Sequence, residues 1–191
     1  MTELTKQAKR LRAQIEAAFA DVPYPGDDHL YEGGQRDDDY DDVIRNLTGK
    51  HWRDFIPKRK PRKDRSSQLN KDLYFCSPAA WHFFLPAHLI AEVMRGKVDP
   101  LPFHPARSER LKDHTEDRFS RLNAAQCAAV AAFLAHADAL LVEEAGKIPK
   151  HCAYFERKQQ ELAPVVAYWH DRARGDKSLS LGERPPGEAC R

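Results

Sequence analysis

The stretch from Ser77 to Met94, SPAAWHFFLPAHLIAEVM, constrains the fold more than any other part of the sequence. It opens as a helix start. A serine oxygen accepts from the orphan amides of a first turn, and proline suits the first helical position because its missing N–H would have no partner there. The helix behind this start is apolar nearly all round, so no face of it can be given to water and the rest of the chain has to enclose it. Pro86 removes one backbone donor and predicts a kink or split, leaving the carbonyl of His82 without its usual partner. That would make 82–88 the best place for a small cleft, lined by Trp81, His82 and His88. Arg95-Gly96-Lys97 supplies a basic, glycine-terminated end.

The enclosing elements also read as helices. Leu4, Ala8, Leu11, Ile15, Ala18, Phe19 and Val22 recur at spacings of three and four, and Pro23 and Pro25 stop the run. Val43, Ile44 and Leu47 predict a short helix, and Trp52 and Phe55 a further turn with both rings inward. Asn123 with Gln126 three residues on matches a capping box, followed by a stripe of Cys127, Val130, Phe133, Leu134, Ala137 and Leu141. A last helix from near Pro149 carries Phe155, Leu162, Val166, Trp169 and Ala173 inward, with a bend at Pro164. No long stretch alternates with period two; Leu73-Tyr74-Phe75 is the one candidate for a lone extended segment. The expectation is an all-α single domain over 1–174, of five or six helices and at most one token strand, with a loose tail over 175–191. Its core should hold Phe19, Trp52, Trp81, Phe84, Leu85, Leu89, Val130, Phe133, Leu134 and Trp169.

Charge is nearly balanced, with 31 basic and 29 acidic residues, but it is segregated. Between Asp27 and Asp42 stand eight acids against Arg36 alone. Asp37, Asp38, Asp39, Asp41 and Asp42 are the candidate binding residues for a partner with a basic surface. Lys58, Arg59, Lys60, Arg62, Lys63 and Arg65 form a basic run, read as an exposed loop over 57–68. It could contact phosphate backbones, although no aromatic residue is interleaved to stack on bases.

Familiar catalytic patterns are missing: no phosphate loop, no GxSxG, no kinase signature, no HExxH and no zinc spacing. Cys76, Cys127 and Cys152 lie in apolar or helical surroundings and read as small buried hydrophobes. A metal-dependent hydrolase would have to be assembled from Asp27, Asp28, His29, His82 and His88. No cofactor or metal is expected. No uninterrupted run of about 18 apolar residues is present, and Met1–Arg12 lacks an apolar core, so neither a membrane span nor a secretory signal is expected and the cytoplasm is the expected compartment.

Four segments carry a resemblance: AFADVPYP from Ala18, GKHWRDF from Gly49, FCSPAAWHFFLPA from Phe75 and FSRLNAAQCAAVAAFL from Phe119. Over residues 15–135 they resemble a family of small bacterial proteins with the pattern AFxxVxxP, GKxW, FLSPxAxxYYLPAxL and FxxLxxxQxxAVxxFL. His82-Phe83-Phe84 replaces that family's tyrosine-rich run, and the basic run and the final helix look like additions. The resemblance implies one compact domain and brings no catalytic residue. The functional expectation is a non-catalytic, cytoplasmic, protein-binding factor, of immunity or accessory type in a bacterial toxin or defence locus. Nucleic-acid association through 58–65 and a metal-dependent hydrolase are the alternatives.

Overall fold

The computed structural model describes residues 3–31, 38–57, 65–96, 103 and 112–175; within these, the side chains of Asp39, 65–68, Asn70, 112–114 and Pro149 are not described. Seven α-helices appear among the described residues: α1 (Glu3–Ala18), α2 (Asp38–Leu47), α3 (Arg65–Phe75), α4 (Pro78–Arg95), α5 (Lys112–Ser120), α6 (Ala124–Lys147) and α7 (Cys152–Ala173). Short 3-10 turns at Asp27–His29, Trp52–Phe55 and Pro149–His151 stand between them. The protein is an all-α, single compact domain, as its periodicity predicts.

The apolar helix is enclosed as its composition demands. α4 touches α1, α3, α5, α6 and the Trp52–Phe55 turn. Ser77 Oγ accepts from the Ala80 N–H at 3.1 Å, and Gly96 (φ 66°) closes the helix by giving its N–H to the carbonyls of Glu92 and Val93. That left-handed turn is where a side chain would be strained. Asn123 and Gln126 form the reciprocal box that starts α6, at 2.9 and 3.0 Å. All ten expected core side chains are buried. Phe103 joins them: it packs on His88, Phe133 and Trp169, and its carbonyl accepts from Trp169 Nε1 at 2.9 Å.

Several expectations are corrected. α4 runs as one α-helix through Pro86, so the chain is not split there. The neighbours that bury Pro86 hold the helix together although His82 has lost its donor. α7 is continuous through Pro164, and Val165 joins Leu162 and Trp169 in the core while Val166 packs partly buried against it. Leu73-Tyr74-Phe75 is the end of α3; the one extended contact among the described residues is an antiparallel bridge between Tyr31 and Cys76. α3 begins at Arg65, so the end of the expected 57–68 loop is helical. α6 has the length and a mean hydropathy of 1.6 that could cross a membrane, although polar residues interrupt its apolar run, yet half of that stretch is buried inside the fold. α6 is thus accounted for as a core helix. Of the expected tail, all beyond Gly175 lies outside the described residues.

Candidate functional site

Of the residues expected to line a cleft, Trp81 and His88 are buried in the core and His82 is half-buried. Trp81 packs on Phe119 with Arg118 over its ring, and His88 stacks on Phe103 beside Phe133. Burial, helped by the charge of Arg95, pushes the His88 ring down to about 4, so it is neutral over the physiological range. His82 is half-buried and meets the Gln126 side-chain oxygen at 3.0 Å and the edge of Phe19. Its pKa too is lowered, first by burial. Cys76 and Cys127 are buried, and burial pushes the Cys76 thiol up to about 12 and the Cys127 thiol upward as well. Neither thiol is therefore an activated nucleophile. Cys152 is half-buried.

Asp27, Asp28, His29, His82 and His88 are not brought together. Among the described residues no group of three or more His, Cys, Asp or Glu could hold a metal ion. Asp28 and His29 are exposed on their 3-10 turn, while Asp27 belongs to a clasp that sequence reasoning missed. Tyr24 OH donates to the Asp27 carboxylate, which also accepts the Gly49 N–H at 3.0 Å. Burial first, and then this bond to a carboxylate, raise the Tyr24 hydroxyl to about 12. The bonds from Tyr24 and Gly49 hold the Asp27 carboxyl below its usual range. The clasp joins two of the resemblance motifs, VPYP and GKHW, and the edges of Tyr24 and His51 both meet Phe83 of α4. Its only signal in the sequence was the presence of those motifs.

The acidic segment is divided by the structure. Asp37 lies outside the described residues, as does the side chain of Asp39. Asp38 and Asp41 are exposed on α2, Asp38 at its first residue, where a carboxylate favours the helix dipole. Asp42 is committed within the fold, paired with Arg45 and, at 3.5 Å, with Lys71. Of the basic run, Lys58, Arg59, Lys60, Arg62 and Lys63 lie outside the described residues; Arg65 is the first residue of α3, and its side chain is not described.

The most open apolar surface is elsewhere. α6 and α7 form a long hairpin whose described side chains from Asp138 to Glu161 are never fully buried. Near its end Val142 is 55% exposed and Tyr154 49% exposed. Between the helices runs a groove of about 380 Å³ lined by Ala135, Asp138, Leu162, Ala163, Val166, Ala167 and His170. Gln159 Nε2 donates to Asp138 beside it at 3.0 Å. Several charges near the hairpin end are paired within each helix, Lys147 with Glu143 and Glu144, and Arg157 and Lys158 with Glu161. The groove therefore presents small and apolar side chains with few charges.

Over residues 7–173 the chain matches the model of a family of unknown function, DUF6714. That span includes α7, so the final helix is part of the family's domain and not an addition to it. No curated protein and no solved structure matches the chain.

Proposed function

Because the chain belongs to DUF6714, a family of unknown function, we propose from its own surface that it is a non-catalytic protein-binding factor that receives an amphipathic α-helix of another protein along the α6–α7 hairpin. The observation that carries this reading is the open groove between α6 and α7, walled by Ala135, Leu162, Ala163, Val166 and Ala167, with Val142 55% exposed one helical turn beyond Asp138. Large apolar side chains held in water beside a furrow are a docking surface more often than an accident of packing. A furrow between two helices accepts the side chains of a third at spacings of three and four, and alanine walls let its backbone approach closely. Nucleic acid would need several uncompensated cations here, whereas Lys147, Arg157 and Lys158 are paired with glutamates. Asp38 and Asp41 add a negative face that speeds encounter with a partner of basic surface. A bacterial, cytoplasmic setting and an immunity or accessory role in a toxin or defence locus belong to this same proposal.

Photo-crosslinking tests it. A photoreactive side chain at Ala135 or Ala167 should give one adduct whose attachment maps to a helical segment of a single other protein, and adding Val142→Asp and Tyr154→Asp should abolish it. An adduct to a second copy of this chain, or the same adducts from a photoreactive group at Lys6 on α1, would refute it.

A further inference from the structure

A second feature, independent of the hairpin, lies on the Trp52–Phe55 turn. The backbone N–H of Arg53 donates to His51 Nδ1 at 3.1 Å. That nitrogen must offer a lone pair, so the neutral ring carries its hydrogen on Nε2. Arg53 Nη1 stands 3.4 Å from that same Nε2. A guanidinium has donors only. Two N–H groups thus face one another on an exposed surface with no acceptor between them, an arrangement that wants one shared oxygen.

The surroundings hold both groups in place. The Arg53 guanidinium lies over the buried Trp52 ring, 4.3 Å from its centroid, and His51 is tilted against Trp52 and edge-on to Phe83. Lys50, next in the chain, is exposed and lies over Phe55. Neither Lys50 nor Arg53 forms an ion pair among the described residues. Two carboxylates are near in the chain or clasp, and both are engaged: Asp54 accepts the His51 N–H at 2.9 Å, and Asp27 holds Tyr24 and Gly49. The backbone amides of His51 and Arg53 are bound by side chains and those of Asp54 and Ile56 by backbone carbonyls, and none of them forms part of the site.

We propose that His51 and Arg53, flanked by Lys50, form an oxyanion site for a phosphate group. One phosphate oxygen accepts from both His51 Nε2–H and Arg53 Nη1, and Lys50, the preceding residue, adds positive charge to the surroundings. Two uncommitted cations suit a group of charge about −1.5 to −2 better than a carboxylate of −1. In water a solvent oxygen fills the same place, and phosphate replaces it with gain of charge attraction.

The test is titration of the whole chain with inorganic phosphate, followed by NMR at the His51 ring and the Arg53 side-chain N–H, against acetate at matched ionic strength. His51→Asn keeps an acceptor where Nδ1 stood and loses the Nε2 donor; His51→Gln places an amide N–H near Nε2. The expected result is saturable shifts with phosphate, binding at least ten-fold weaker in Arg53→Gln and His51→Asn, and partial recovery in His51→Gln, with unchanged circular dichroism in all three. Equal responses to phosphate and acetate, no saturation, or unchanged binding in Arg53→Gln would overturn it.

Discussion

Two buried residues show how a side chain's surroundings decide its energy. His88 is held neutral with a pKa of about 4, whereas an unfolded chain takes up this proton near pH 6.5. Between those values the unfolded state binds more protons, so stability falls as pH drops from 6.5 towards 4. His82 and His136 are pushed down by burial and act in the same sense. Denaturant unfolding at pH 7 and pH 5 should show the acid-induced loss shrinking by up to about 2 kcal/mol in His88→Leu. An undiminished loss would place the acid sensitivity on other groups. The two fully buried indoles form a second comparison. Trp169 Nε1 donates to the Phe103 carbonyl, whereas Trp52 Nε1 is buried without a hydrogen-bond partner among the described residues. Removing the indole N–H leaves an acceptor unsatisfied in one case and removes an unsatisfied donor in the other. Trp169→Phe should therefore cost about 1–2 kcal/mol more than Trp52→Phe in equilibrium unfolding.

At the scale of elements, helix starts were plain in the sequence because a cap is a local event. Ser77 and Asn123 each reach an amide within three residues, and no distant group has to cooperate. Asn123→Ala should cost about 1 kcal/mol, and more if Gln126, which also meets His82, loses its orientation. Phe133→Ala, deep in α6 between His88 and Phe103, should cost about 3–5 kcal/mol; a loss below about 1 kcal/mol would mean that the site collapses freely. Helix continuity was less plain than helix starts. Pro86 signals a kink or split by local rule and Pro164 a bend, and α4 and α7 are each continuous through them. The local rule counts a lost hydrogen bond, and for Pro86 the packing of surrounding helices outweighs it. α3 and α5 were missed for the opposite reason. RSSQLNKDLYF and KDHTEDRFS are polar, with few apolar positions to set a period, and docking defines them, α3 on α4 and α2, and α5 on α4.

For the whole molecule, the hairpin is the part that departs from a closed globule. α4 is buried over most of its length, whereas α6 and α7 have no fully buried described side chain between Asp138 and Glu161. Few apolar contacts mean low local opening energies. Amide hydrogen exchange should be faster over residues 140–158 than in the middle of α4, and a bound partner helix should slow it; equal protection in the free protein would show that the arm is as rigid as the core. The all-α class, the enclosed helix at 78–94 and ten residues of the core were determined by the sequence alone, because burial follows hydrophobic periodicity and periodicity is local. The tertiary structure alone decided which chemical groups meet. His82 and His88 stand six positions apart and occupy different surroundings, one on Gln126 and one on Phe103. Tyr24, Asp27 and Gly49 are separated in the chain and clasp one another. The groove at Ala135 and Ala167 exists only because α6 and α7 run side by side. A pattern of residue types fixes how much apolar surface must be hidden, but the mutual placement of side chains depends on how helices pack, and that is set by contacts between residues far apart in the chain.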